Sequence, residues 1–234
     1  DGLYITWIGV SMYTLTIKLL SPTMLISGQG DVNTDSTVVH DCYGIPFIPA
    51  KRVRGVLYES ALEVAEIMEL SELKTFTIQD VNCLFNHTTE NSTVDMIVDC
   101  PRLSISNLMI PHYDKIAHDI EILQNHHDFK SIFTKNRVLA EFTSIRYYTS
   151  VDSEKGTAKD GSLHNSRVIN RGLTFSGTIS VKNMTERDQM ILACAVNNLT
   201  GIGGKRNRGF GNIECSIDDE HFDVQVLGGA LWSK

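Results

Sequence analysis

No stretch of this 234-residue chain is apolar for long enough to cross a bilayer, since a spanning helix needs about 20 consecutive apolar residues. The first residues also lack the cationic, apolar and small-residue series of a secretory signal, so the expected compartment is the cytoplasm and no membrane partner is expected. Cysteine is sparse. Five cysteines, an odd and scattered set, form no disulfide framework and suit a reducing compartment. No Cys-x-x-Cys pair occurs, so Cys83, His87, Cys100 and His112 could form a zinc site only with irregular spacing, and the plainer alternative is buried free thiols. Cys194 and Cys215 fall at packing positions of a helix and a strand. Positive charge is in deficit as well: 21 Lys and Arg against 28 Asp and Glu leave a net charge of −7. That balance argues against a uniformly basic nucleic-acid binder.

The deficit is local. Between Ser60 and Asp128, 12 acidic residues stand against three basic ones, so the rest of the chain is slightly cationic. Its cations gather at Lys51, Arg52 and Arg54, and again at Lys205, Arg206 and Arg208. Local field rather than net charge decides whether a phosphate backbone binds.

The second cluster lies in Leu199–Gly211, Leu-Thr-Gly-Ile-Gly-Gly-Lys-Arg-Asn-Arg-Gly-Phe-Gly, where Gly201, Gly203, Gly204, Gly209 and Gly211 surround the cations. Glycine permits positive φ and close approach to backbone amides. Exposed amides with flanking cations make an anion-binding nest, so the loop reads as a grip on phosphates. It is neither a Walker A loop, whose Gly-Lys is followed by Ser or Thr, nor a dinucleotide fingerprint, which would need glycine at Arg206. A solvated turn is the plain alternative. The first cluster follows Pro49 at a predicted helix start, and cations there oppose the helix dipole, which suggests a compensating anion.

Periodicity predicts a strand over Tyr13–Leu20, a helix from Pro49 to Glu69, a weak strand over Arg102–Met109 and helical character within His112–Lys130. It further predicts strands over Leu139–Tyr148 and Gly172–Val181, a helix capped by Thr185, and a last strand from Gly209 to Ile217. The order is β-α-(long middle)-β-β-α-β, an α+β chain with a ferredoxin-like, RNA-recognition-motif-like core. One domain spans 1–234. Residues 12–69 give the first strand, an aspartate loop and the first helix, and 70–138 an insertion. Residues 139–170 give a strand and a projecting thumb hairpin, and 171–218 a strand, helix, glycine loop and last strand.

Four segments resemble one family. Asp35-Ser-Thr-Val-Val-His-Asp41, then Gly44-Ile-Pro-Phe-Ile-Pro-Ala-Lys-Arg-Val-Arg-Gly55, is similar to a pattern of Asp, two residues, Val-Val-Arg-Asp, then Gly-x-Pro-x-Ile-Pro-Gly-Ser-Ser-Leu-Lys-Gly. Cys83-Leu84-Phe85 with Arg102–Ser106, Ile145–Phe175, and the glycine loop complete the match. The family is the RAMP superfamily (repeat-associated mysterious protein), more narrowly the repeated backbone subunit of type III CRISPR effector complexes. His40 replaces the usual arginine, and Ala50, Lys51 and Arg52 replace Gly-Ser-Ser.

The resemblance implies partners and a site. Copies of the subunit would stack along a CRISPR guide RNA with other effector subunits, and a thumb would interrupt pairing with target RNA. Lys51, Arg52, Arg54, Gly201, Gly203, Gly204, Lys205, Arg206 and Arg208 would bind RNA. Asp35 matches the aspartate that supports metal-dependent target cleavage in active members, with magnesium or manganese as cofactor. Asp31 and Asp41 are weaker candidates, Asp41 more plausibly a structural partner. Two alternatives remain: a non-catalytic scaffold beside a separate nuclease, and a precursor-RNA-processing endoribonuclease using His40 as its proton-transfer group.

Overall fold

The computed structural model describes residues 9–28, 35–71, 75–87, 103–149, 164–219 and 222. A four-stranded antiparallel sheet has the order β2-β5-β1-β6, from β1 (Val10–Leu19), β2 (Leu103–Ile105), β5 (Thr174–Lys182) and β6 (Ile213–Ile217). Helix α1 (Ala50–Leu70) links β1 to β2 and helix α5 (Glu186–Asn198) links β5 to β6, so two β-α-β units interleave.

Alternation along the strands decides which sheet face is covered. Leu15, Ile17 and Leu19 of β1, Phe175, Ile179 and Val181 of β5, and Ile213 and Ile217 of β6 are buried. They share one core with Val53, Leu57, Ala61 and Ala65 of α1 and with Ile191, Leu192, Ala195 and Val196 of α5. The other face carries Thr14, Thr16 and Lys18 of β1, Ser176, Thr178 and Ser180 of β5, and Glu214 and Ser216 of β6. Thr16 and Ser176 share a hydroxyl hydrogen bond of 3.2 Å across it. Among the described residues this face presents no aromatic ring, so the base-stacking sheet of RNA-recognition motifs has no counterpart there.

Helix starts follow local chemistry. At α5, Thr185 and Asp188 form a capping box. Helix α2 (Ile78–Leu84), which periodicity missed, begins with the same device between Thr77 and Asp80. Arg187 Nη1 donates to Asp80 Oδ1 at 2.9 Å and ties the two helix starts together. Burial pushes the Asp80 carboxyl up, but hydrogen bonds from Thr77 and Arg187 outweigh it and hold it below the ordinary value. A depressed folded value means that this stabilisation is complete above the ordinary carboxylate range and is lost as pH falls through the folded value. Asp80→Asn should therefore destabilise the chain at pH 7, and the deficit against wild type should shrink at strongly acid pH in paired urea titrations.

Three boundaries depart from periodicity. Leu139–Phe142 belongs to helix α4 (Lys135–Phe142), where Val138 and Leu139 are buried, and only Thr143–Tyr148 is strand β3. Pro49 is the residue before α1, not its first turn, and β6 begins at Ile213. Helix α3 (Tyr113–Asn125) fills part of the predicted helical segment, and Ile78–Ile105 supplies both α2 and β2. Strand β3 pairs with β4 (His164–Ile169) as a separate antiparallel ribbon, from Thr143 opposite Ile169 to Tyr148 opposite His164. Of the predicted projection, 149–163, all but Thr149 lies outside the described residues.

The cysteine expectation is corrected at one position. Cys83 is disulfide-bonded, whereas Cys42, Cys194 and Cys215 are free. Cys194 and Cys215 pack against the core as expected, and burial raises both thiols, that of Cys215 to about 12. Among the described residues no helix is long and apolar enough to cross a membrane.

Candidate nucleic-acid interface

The glycine loop is held down by its own backbone. Gly204 N–H donates to the Met24 carbonyl (3.0 Å), Gly211 N–H to Pro22 (2.9 Å), Ile202 N–H to Gly211 (2.8 Å) and Arg208 N–H to Lys205 (2.9 Å). Gly203, at φ +86°, lies so close to residue 24 that a Cβ would stand 2.6 Å from the Met24 carbonyl oxygen. Gly211, at φ +75°, would drive a Cβ into the Ile202 carbonyl oxygen. These two glycines are required by contacts within the chain, and several loop amides are spent on it rather than free for a nest. Gly209 differs: its φ is +79°, yet nothing crowds its Cβ position.

A prediction follows from that contrast. Gly211→Ala combines a left-handed backbone with a backbone clash and should cost about 3 kcal/mol, whereas Gly209→Ala should cost about 1 kcal/mol. Urea unfolding of the two variants measures both. Equal costs would mean that the loop does not need its close approach to Ile202.

What the loop offers outward is charge. Arg206 and Arg208 are exposed on a short 3-10 turn, and Arg206 Nη2 lies 3.7 Å from Glu59 Oε2. Both side chains of that pair are more than half exposed, so the contact restrains the guanidinium little. Lys205, at φ +57°, turns the other way, and its Nζ sits 3.1 Å from the centre of the Tyr148 ring.

The first cation cluster divides. Arg52 Nη2 donates to the Ile26 carbonyl and Arg54 Nη2 to the Phe85 carbonyl, so chain oxygens supply the compensation that an anion was expected to give. Ala50 N–H, in the first turn of α1, is taken by Asn107 Oδ1 (2.9 Å). Arg52 nevertheless lines one open groove with Gly55, Glu59, Gly203, Gly204 and Arg206, which joins the start of α1 to the glycine loop. Arg54 reaches toward Phe85 instead, and Lys51 is exposed.

Asp35 lies beside the Lys205 end of the loop. Its N–H donates to Asn165 Oδ1 (2.8 Å), and its Oδ2 accepts from Asn165 N–H (3.0 Å), which stitches the aspartate segment to β4. Ser36 Oγ donates to Ser166 Oγ (2.7 Å), and Ser166 Oγ is 2.8 Å from the Tyr148 hydroxyl. His164 Nδ1 stands 3.4 Å from Asp35 Oδ2, and its ring centre is 5.9 Å from that of Tyr148. The hydrogen bond with Ser166 lowers the Tyr148 phenol, burial opposes this, and Lys205 adds to the lowering. Lys205, Tyr148, His164 and Asp35 thus form one continuous patch. Tyr148 and His164 escaped the sequence reading because a phosphate grip is sought among cations and glycines. The one available signal was their position, flanking the thumb-like segment on either side.

The other candidates fall elsewhere. Asp41 is structural: Oδ1 accepts from the N–H groups of Tyr43 (2.9 Å) and Ile45 (2.8 Å), and Oδ2 accepts the Tyr113 hydroxyl (2.8 Å). Burial and that hydrogen bond push the Tyr113 phenol up. His40 is half-buried in the same turn, with Nδ1 3.0 Å from the Asp41 carbonyl. His87 stacks on Tyr58 with ring centres 4.7 Å apart, and His112 occupies the left-handed residue before α3. Cys100 and Asp31 lie outside the described residues. Among the described residues no group of three or more His, Cys, Asp or Glu converges as a metal cluster.

The interleaved sheet, the glycine loop packed on residues 22–24 and the aspartate segment stitched to β4 define a class. The profile of the RAMP superfamily matches residues 16–214, and the chain belongs to that superfamily. Two solved structures share its fold. A chain of the type III-B Cmr-beta complex bound to cognate target RNA, seen by cryo-electron microscopy, superposes with a TM-score of 0.58 at 10% identity, covering 88% of this chain and 97% of that one. A chain of the apo type III-B Cmr-beta complex gives 0.57 at 12% identity, covering 90% and 98%. A search of curated protein sequences finds no match.

Proposed function

We propose that this chain is an RNA-binding backbone subunit of a type III CRISPR effector complex, stacking along a guide RNA and engaging target RNA with copies of itself and other effector subunits. The observation that carries the reading is the patch in which Lys205 of the glycine loop is joined to Asp35 through Tyr148 and His164. Lys205 sits on Tyr148, Tyr148 adjoins His164, and His164 adjoins the Asp35 carboxylate, while Arg206 and Arg52 line the groove alongside. Cations on exposed turns suit a sequence-independent grip on phosphates. A carboxylate there would repel RNA unless a divalent cation intervened. Asp35 fits such an ion because its side chain is 59% exposed yet held by the Asn165 N–H. Magnesium or manganese, when bound, would supply charge neutralisation and a positioned oxygen nucleophile for cutting target RNA.

The acidic stretch between Ser60 and Asp128 supports assembly, since stacked copies can place it against a basic neighbour. Sedimentation of the full chain should therefore show weak self-association alone and ordered multimers with guide RNA and sister subunits. A chain that stays monomeric with both present overturns the proposal.

A further inference from the structure

We propose that His164 and Asp35 together form a two-residue metal site that selects a first-row transition-metal dication, with manganese as the probe, over magnesium. This rests on the reading of Asp35 as a metal-holding carboxylate and names the missing ligand. The spacing fits two ligands of one ion. His164 Nδ1 is 3.4 Å from Asp35 Oδ2. That is longer than an N–H···O hydrogen bond, which runs to about 3.2 Å. Two ligands on one ion at about 2.1 Å each, at angles between octahedral and tetrahedral, lie about 3.0 to 3.4 Å apart. The pair is therefore spaced as two neighbouring vertices of one coordination shell.

The rest of the local structure fits. The Asn165 side chain holds the Asp35 backbone and the Asn165 N–H holds the carboxylate, so the ligand is oriented in advance. His164 is fixed at the start of β4 by pairing with Tyr148. Both side chains are about half exposed, 52% and 59%, which leaves the remaining coordination positions open to water and RNA phosphate oxygens. The neighbouring ammonium, that of Lys205, is held on the Tyr148 ring, where it can meet the phosphate without occupying the carboxylate. An imidazole nitrogen beside a carboxylate oxygen suits manganese, cobalt or zinc, whereas magnesium prefers oxygen throughout.

The test is Mn²⁺ binding to the full-length chain, with Mg²⁺ as competitor, read by titration calorimetry and by pulsed electron paramagnetic resonance. Wild type should bind Mn²⁺ at least about tenfold more tightly than Mg²⁺ and show nitrogen coupling from one imidazole. His164→Ala should lose the coupling and about tenfold in Mn²⁺ affinity while Mg²⁺ binding stays unchanged. His164→Asp should restore binding of both ions without the nitrogen coupling and with the preference for Mn²⁺ reduced, and circular dichroism confirms that each variant is folded. Bound Mn²⁺ without nitrogen coupling in wild type overturns the proposal, and needs no variant to do so. So does tighter Mn²⁺ binding by His164→Ala, the result expected if His164 is only an ion-pair partner competing with the metal. Nitrogen-coupled Mn²⁺ in an assembly that never cuts RNA would leave this site standing and remove the cleavage reading alone. RNA cutting with no nitrogen-coupled ion would do the reverse.

Discussion

Replacing Lys205, Arg206 and Arg208 together by alanine is expected to weaken binding of single-stranded RNA by roughly ten- to a hundredfold near physiological salt, and to flatten the log–log salt slope by about 2. The slope follows from the contacts: each phosphate neutralised on a single strand contributes about 0.7, and three cations leave together. Loss should be uniform across sequences, because the grip reaches phosphates and not base edges. Backbone geometry makes the experiment clean. The loop is anchored by Gly204 to Met24 and Gly211 to Pro22 through main-chain bonds that these substitutions leave in place. Arg206 and Arg208 are exposed, so their removal should leave the unfolding midpoint nearly unchanged. Lys205 differs because its loss also uncovers the Tyr148 ring, and Lys205→Ala alone should change the fluorescence or ultraviolet signature of that tyrosine. If affinity and slope both survive the triple substitution, the loop is only a turn between α5 and β6.

What could be read in the sequence was what depends on near neighbours. The capping box of α5 lies within Thr185–Asp188, the apolar stripe of α1 recurs every three or four residues, and β1 and β5 alternate along their length. The corresponding signal at Thr77–Asp80 was just as local, but it opens a seven-residue helix too short for periodicity to register. The α4–β3 boundary failed for the opposite reason. Leu139–Tyr148 has the residues of a strand, and tertiary burial of Val138 and Leu139 turns its first part into helix.

The site divides along the same line. The cation and glycine composition of the loop marked it at once, but the purpose of its glycines did not show, because Gly203 and Gly211 answer to the Met24 and Ile202 carbonyls. The carbonyl partners of Arg52 and Arg54, Ile26 and Phe85, did not show in the sequence because each is more than twenty residues away. The approach of His164 to Asp35 joins residues from distant parts of the chain, brought together by the bonds of Asp35 with Asn165 and of Ser36 with Ser166.

The Asp35 substitution tests the chemistry most severely. Asp35→Asn keeps the size of the side chain and an oxygen able to accept from Asn165 N–H, so the segment should remain stitched to β4. It removes the negative charge that would hold a divalent cation next to the RNA. Guide and target affinity should stay within about twofold or rise slightly, since a carboxylate beside phosphates repels them. Metal-dependent cutting of target RNA should fall by roughly a hundred- to a thousandfold, the usual scale for losing one preorganised electrostatic contribution in a transition state. Single-turnover cleavage of a matched target by the assembled complex, with binding measured on the same samples, separates the two effects. A fall in binding equal to the fall in cutting would place Asp35 in the scaffold, holding the aspartate segment to Asn165. Should the wild-type complex bind its target and leave it intact with magnesium, manganese and cobalt alike, Asp35 has no role in cleavage, and any cutting belongs to another subunit.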